Sequence, residues 1–240
     1  MMVSPLAILR NLAFYLAFWG GSIFIVGTCV IWLALRQDRQ FRIAVTSWSA
    51  WHRVCMRYLL GQQIRTEGEV PPAPVLVVFR HESFFEAIDL AQVLPNPGVF
   101  AKAELLRIPF WGWVGHGYGL IAVERDQGAK ALRHMLSSAK AMTAAGRPLA
   151  LFPEGTRIPH GERAEIKSGF AGLYKLLGLP VVPIAVNAGP LYHRWIKQPG
   201  VITYRIGEVI PAGLPRDEAE ARVQVGINAL NAVSDGDSAG

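Results

Sequence analysis

Only two cysteines occur in 240 residues, Cys29 inside an apolar run and Cys55 well beyond it, at no paired spacing. That excludes a disulfide framework and a cysteine-built metal site, and free thiols in a reducing compartment are expected. Three catalytic signatures are also missing. No G-x-S-x-G turn offers a strained serine nucleophile. His81-Glu82 opens an H-E-x-x-H zinc motif, but Phe85 stands where the second histidine belongs, so no metal is expected. The glycine-rich run Gly115-His116-Gly117-Tyr118-Gly119 is not the G-x-G-x-x-G of a dinucleotide site. There is no internal repeat. Charged residues make up only 18% of the chain, and the acidic side is the poorer, with 18 Asp and Glu against 24 Lys and Arg, a net +6.

What is present begins with apolar surface. Hydrophobic residues reach 51% and mean hydropathy is positive, which is unusual for a soluble enzyme. Leu12 through Leu35 contains no charged residue and exceeds the ~20 residues that a helix needs to cross a bilayer. The run is too long for the core of a signal peptide, and no small-residue cleavage site follows, so a retained membrane anchor is expected. Arg36, Arg39 and Arg42 outnumber Arg10 on the other flank, which places the following domain in the cytoplasm, at the inner membrane. A second helix, Ile43 to Leu60, carries Trp48, Trp51, Met56, Tyr58 and Leu59 for the interface, with Arg53 and Arg57 expected to reach lipid phosphates. An ordinary amphipathic helix packed on the domain is the competing reading. The first 70 residues hold seven arginines against Asp38, Glu67 and Glu69, and this surplus beside an apolar run favours an anionic bilayer surface; no nucleic-acid motif is present.

Chemistry concentrates in two stretches. Val75 to Phe79 is an apolar run that predicts a buried parallel strand, and it delivers His81 to the carboxyl edge, where open α/β sheets bind ligands. Histidine titrates nearest neutrality, and a carboxylate can fix its tautomer, so His81 with Glu86 forms a candidate general base and orienter. Positions five apart on one helix point ~140° away from each other, so the pair meets only if His81 precedes a helix and Glu86 lies in its first turn. Ser83 is a candidate N-cap for that helix, and the competing reading makes Glu86 its capping-box partner. Glu82 and Asp89 rank lower as partners. The second stretch, Leu149 to Phe152, predicts another buried strand that runs into Pro153-Glu154-Gly155-Thr156-Arg157. Gly155 allows close backbone approach, Thr156 adds a hydroxyl and an amide, and Arg157 presents a planar fork suited to phosphate, which suggests an anion site beside a base. The plainer alternative is a glycine turn with a surface Glu–Arg pair.

Around these stretches, Gly61 to Pro74 reads as a linker or first edge strand, and Val99 to Ala101 as a short strand ending at Lys102, a cation at a strand end. Leu105, Ile108, Phe110, Trp111 and Trp113 suit either a groove for an apolar ligand or the core. Helical spacing of Leu132, Met135, Leu136, Ala139 and Met142 predicts a helix over Gly128 to Ala145. Lys167 precedes a helix reaching Leu177; Val181 to Val186 and Val201 to Ile206 read as strands, and Asp217 to Val233 as a closing helix. The expected divisions are 1–62 for membrane anchoring, 63–233 for the α/β domain and 234–240 for a disordered tail.

Taken together, these motifs resemble the glycerolipid acyltransferases, specifically the bacterial 1-acyl-sn-glycerol-3-phosphate (lysophosphatidate) acyltransferases. His81 and Glu86 match the family's H-x4-D/E block, Phe152 to Arg157 match F-P-E-G-T-R, and Val182-Pro183-Ile184 match a later V-P-I block. Gly119 to Arg125 is similar to an intervening block in Arg125 and apolar character only. Resemblance covers roughly residues 45 to 210. It implies an α/β fold with a mixed, largely parallel sheet flanked by helices, and an N-terminal membrane-associated helical hairpin that spans or dips into one leaflet. It further implies acyl transfer from acyl-CoA or acyl-carrier protein to the sn-2 hydroxyl of lysophosphatidate, giving phosphatidic acid in phospholipid synthesis. On that basis His81 and Glu86 are catalytic; Arg157, Thr156, Gly155, Glu154, Arg125 and Lys102 hold the phosphate; and no cofactor is expected beyond the thioester co-substrate. Two alternatives remain: an O-acyltransferase for another lysolipid, such as lyso-ornithine lipid or a lysophospholipid, and a non-catalytic lipid-binding protein.

Overall fold

The structure, a computed structural model, describes residues 4–72, 74–123 and 128–231. Helix α1, Pro5–Ala34, starts where the Ser4 hydroxyl accepts from the Ala7 amide (3.2 Å) and Pro5 opens the first turn. It runs for 30 residues, about 45 Å at 1.5 Å per residue. A turn with Arg36 at φ 54° reverses the chain into α2, Asp38–Cys55, which continues as a π-helical turn, Met56–Leu60, and stops at Gly61 in the left-handed region. The second helix thus begins five residues before its predicted start. Asp38 in its first turn complements the helix dipole there.

The two helices pack antiparallel. Trp48 donates to the Ser22 hydroxyl (2.8 Å) and Trp51 to the Ala17 carbonyl (3.2 Å). A side chain at Gly21 would collide with the Trp51 indole, so the glycine that interrupts the apolar run is what lets the helices close together.

Seven strands among the described residues form one sheet in the order β1-β7-β6-β2-β5-β3-β4. They are β1 Gln62–Glu67, β2 Leu76–Phe79, β3 Gly98–Lys102, β4 Leu120–Val123, β5 Leu149–Leu151, β6 Val181–Val186 and β7 Gly200–Ile206. β6, β2, β5, β3 and β4 are mutually parallel, whereas β7 pairs with β6 antiparallel and with β1 in parallel. The expected mixed, largely parallel sheet is therefore present, and Gly61 to Pro74 contains its edge strand β1. Parallel strands put successive carboxyl ends on one side, so β2, β5, β3 and β4 all end at the same edge.

Alternation along β2 divides the core. Val77 and Phe79 join Phe14, Phe18, Phe85 and Leu90 on one face, beneath α1, α2 and α3 (Phe85–Val93). Leu76 and Val78 meet α6 (Ser168–Leu177) and α8 (Arg216–Ile227) on the other through Phe170, Leu173, Val223 and Ile227. The hairpin is built into this core: Asn11, Phe14, Phe18 and Ser22 form its buried stripe, while Leu9, Leu16, Ile23 and Phe24 stay exposed.

Helix α4, Trp111–Tyr118, takes up most of the glycine-rich run. Glycine costs ~1 kcal/mol in a helix. Close packing overrides that cost, since a side chain at Gly117 would run into Leu33 of α1. Helix α5, Gly128–Ala144, lies about where its spacing placed it, followed by α6, the short α7 (Gly189–Tyr192), and α8, which ends at Ile227, six residues before its predicted limit. There the Asn228 amide turns back to the Gln224 carbonyl (2.8 Å). The tail from Ser234 to Gly240 lies outside the described residues.

His52 joins hairpin to domain: fully buried, its Nε2 lies 2.6 Å from the Tyr192 hydroxyl. Burial, followed by the Lys197 and Arg53 cations, lowers its pKa from 6.5 to about 3. The unfolded chain then binds a proton between those values that the folded protein refuses, so stability is lost as pH falls through the window. This group should contribute a slope of about 1.4 kcal/mol per pH unit. His52→Gln, which keeps a partner for Tyr192, is expected to flatten the denaturant midpoint against pH across that window; an unchanged slope would show that His52 titrates normally.

Candidate active site

The chain leaves β2 at Arg80 and enters α3 at Phe85, so His81 precedes the helix while Glu86 sits in its first turn. His81 Nδ1 and Glu86 Oε2 are 3.1 Å apart, with the carboxylate fully buried and the imidazole partly exposed. Glu86 also accepts from the Ser83 amide (2.9 Å) and the Ser83 hydroxyl (3.1 Å), and that hydroxyl accepts from the Phe85 amide (3.1 Å). The N-cap of α3 is Phe84 and not the expected Ser83, because the chain is already helical there; Ser83 and Glu86 instead bond each other across the turn that precedes the helix. One carboxylate thus ties that turn to the imidazole, the geometry in which it can orient His81. With Nδ1–H directed at Glu86, Nε2 is left as the basic nitrogen, and it makes no hydrogen bond among the described residues. The His81 ring rests on Phe152, centroids 4.2 Å apart.

Phe152 belongs to the turn that follows β5, and this turn meets the histidine directly: the Ile158 amide donates to the His81 carbonyl (2.8 Å). Arg157 is exposed, with its guanidinium 4.1 Å over the ring of Phe84. His81 and Arg157, 76 positions apart in the chain, thus converge at one sheet edge. Phe84 is exposed although its neighbours from Glu82 to Glu86 are buried, which leaves its ring open to the stacked guanidinium. Arg157 makes no ion pair among the described residues, so its N–H edge remains available to an anion.

The other expected phosphate ligands divide. Thr156 is exposed on the same turn, and Lys102 is exposed at the carboxyl end of β3, two strands from β2. Arg125 lies outside the described residues. Gly155 adopts φ 68° and its amide closes the turn onto the Phe152 carbonyl (3.1 Å), so its role is the bend and not an open amide. Glu154 needs correction: its carboxylate is wholly buried, paired with Arg80 and accepting from the His81 amide (3.3 Å), so it faces the protein and not a ligand. Arg53, expected at lipid phosphates, instead makes a two-pronged pair with buried Asp89 (2.6 and 2.7 Å), tying α2 to α3.

The sequence reading missed Arg80. Fully buried, it pairs with Glu154, lies 3.5 Å from Glu82, and donates to the carbonyls of Pro159 (3.0 Å) and Glu162 (2.6 Å). Glu82 accepts in turn from the Gly189 amide (2.7 Å) and meets His160 Nδ1 at 2.9 Å. Burial pushes the carboxyls of Glu82 and Glu154 up, against the pull of the Gly189 amide and His160 on one and of Arg80 on the other. The only signal in the sequence was a cation at the end of an apolar strand, beside a histidine. Arg80→Met would leave two carboxyls buried without their cation, at a cost of about 3–5 kcal/mol. Chemical denaturation should register that loss, and a wild-type midpoint would show that the network is not ionised.

Known proteins resemble both the sequence and this arrangement. Residues 63–187 match the Acyltransferase family model. A 1-acyl-sn-glycerol-3-phosphate acyltransferase of Pseudomonas aeruginosa is 31% identical over 216 residues, covering 88% of this chain and 84% of its own. One from Helicobacter pylori is 34% identical over 142 residues, covering 58% of this chain and 60% of its own. The crystal structure of the 1-acyl-sn-glycerophosphate acyltransferase PlsC from Thermotoga maritima superimposes with a TM-score of 0.74 over 96% of this chain and all of that one, and at 22% identity it speaks for the fold. By the extent of the family match and of the Pseudomonas relative, the chain belongs to the Acyltransferase family.

Proposed function

We propose that this enzyme transfers an acyl group from a thioester, acyl-CoA or acyl-carrier protein, to the sn-2 hydroxyl of 1-acyl-sn-glycerol 3-phosphate, forming phosphatidic acid. The observation that carries this reading is a base dyad and an unpaired guanidinium on one sheet edge. The names of the Pseudomonas and Helicobacter relatives support the acceptor.

Chemically, Arg157 grips the phosphate monoester through its N–H edge while Phe84 holds the face, and Thr156 and Lys102 add donors nearby. Nε2 of His81 accepts the hydroxyl proton as the alcohol oxygen attacks the thioester carbonyl. Glu86 stabilises the imidazolium that forms. Collapse of the tetrahedral intermediate breaks the carbon–sulfur bond, the thiolate leaves, and His81 returns the proton to sulfur. No acyl-enzyme is needed. Helix α1 presents its exposed apolar stripe to the bilayer from which the lysolipid comes, and the arginines at 36, 39 and 42 favour a cytoplasmic domain at the inner membrane.

Release of free thiol on mixing the purified enzyme with lysophosphatidate and an acyl thioester tests the reading, since a non-catalytic lipid binder releases none. His81→Ala is expected to lower turnover by ~10²–10⁴-fold without loss of folding. Arg157→Lys and Phe84→Ala should mainly raise the acceptor KM, by several-fold for Phe84, with Phe84→Tyr restoring it. An unchanged acceptor KM in both would move the phosphate elsewhere. A panel of lysolipids and donors, resolved by lipid mass spectrometry, separates lysophosphatidate from acceptors with larger headgroups.

A further inference from the structure

The segment between α7 and β7 has no part in the chemistry above, yet it presents Trp195, 85% exposed, between exposed His193 and Arg194 on one side and buried Lys197 on the other. An indole so open to water has no role in the fold. Its backbone, by contrast, is tightly held to α1. The Asn11 side chain donates to the Lys197 carbonyl (3.1 Å) and accepts from the Lys197 amide (2.8 Å), and the Tyr15 hydroxyl donates to the Trp195 carbonyl (2.7 Å). Lys197 Nζ turns inward to the carbonyls of Tyr192 (3.0 Å) and Arg194 (3.4 Å), against the Tyr192 ring at 3.8 Å. The loop is therefore a fixed ledge on the helix.

Its position on the helix identifies what it faces. Ile8, Leu12, Tyr15 and Trp19 fall at i, i+4, i+7 and i+11, a single flank of α1. Of these, Ile8, Leu12 and Trp19 are exposed, and the Trp195 ring lies against Tyr15, centroids 6.3 Å apart. Trp195 thus continues sideways the apolar stripe that α1 offers to the bilayer. Tryptophan flanked by cations suits the headgroup level, where the indole is half-solvated and the charges meet lipid phosphates. The loop's polar backbone and Arg194 bar it from the hydrocarbon interior.

We propose that residues 193–197 form a membrane-contact element separate from the helical hairpin, with Trp195 seated among lipid headgroups and His193 and Arg194 against anionic phosphates. This rests on the membrane reading of α1, in the form in which the hairpin lies in one leaflet instead of spanning, and it fixes a depth: the turn of α1 from Asn11 to Tyr15 sits at headgroup level beside the loop. The acceptor would then reach His81 from an interface contacted at several points.

Site-specific fluorescence on the full-length enzyme tests it. Trp195→Cys can be labelled selectively with an environment-sensitive dye because Cys29 and Cys55 are each 2% exposed, and the Tyr15 bond survives because it goes to the backbone. Two controls carry the same dye: Leu16→Cys on the exposed stripe of α1, and Glu208→Cys beyond the far end of β7, which runs about 20 Å from the loop. The probe is a vesicle of mixed phosphatidylcholine and phosphatidylglycerol with brominated chains. The label at 195 is expected to shift to the blue and to be quenched more by bromines near the carbonyl end of the chain than by those near its methyl end, while the label at 208 stays unchanged. If 195 stays water-like while 16 is quenched, the loop faces water or a protein partner, and the inference fails with the membrane reading intact. If neither is quenched, both fail.

Discussion

A buried guanidinium holds the site together. Arg80 ends β2 with no access to water, and its partners come from segments that follow β2 and β5: Glu82, Glu154, and the carbonyls of Pro159 and Glu162. Two buried carboxylates without it would be untenable, and the cation alone would be equally so. Because Arg80 is adjacent to His81, the network that neutralises it also fixes the direction in which the imidazole leaves the strand. The turn bearing Arg157 is fastened at the same place, by its Ile158 amide on the His81 carbonyl. His81 and the turn that carries Arg157 are thus held by one electrostatic cluster.

Charge in this protein is spent in layers. The innermost, Arg80 with Glu82 and Glu154, is structural; Glu86 joins the turn before α3 to the His81 imidazole; Arg157, at the surface, keeps its N–H edge open by stacking on a ring instead of pairing with an acid. The same economy appears in the hairpin. Arg53, which the sequence would assign to lipid, is committed to Asp89 and ties α2 to α3, while Lys197 turns inward to carbonyls of its own loop.

The hairpin is joined to the catalytic core by buried side chains. Phe14 and Phe18 share a cluster with Phe79 and Phe85, the latter the first residue of the helix that carries Glu86. T-shaped and tilted rings from Phe14 through His52 to Tyr192 and Phe85 link the hairpin to the histidine-bearing turn. The apolar hairpin and the sheet edge that carries His81 therefore belong to one packed body.

Much of this was legible in residues alone. Continuous apolar runs located β2, β5 and β6, because a strand buried on both faces has no polar position to hide it. The spacing of His81 and Glu86 required a strand-to-helix turn between them, and the F-P-E-G-T-R run marked the turn that meets it. Periodicity could not find α4, whose glycines argue against a helix until Leu33 packs against Gly117, nor β4, four residues long. It could not assign Glu154 either, since a carboxylate beside an arginine in sequence looks like a surface pair until Arg80 arrives from another strand. Local pattern determined which segments are strands and which side chains carry chemistry, because propensity and alternation act over a few residues. Only the tertiary structure decided which charges are consumed inside and which reach a substrate, because pairing depends on neighbours that sit some 75 positions away along the chain.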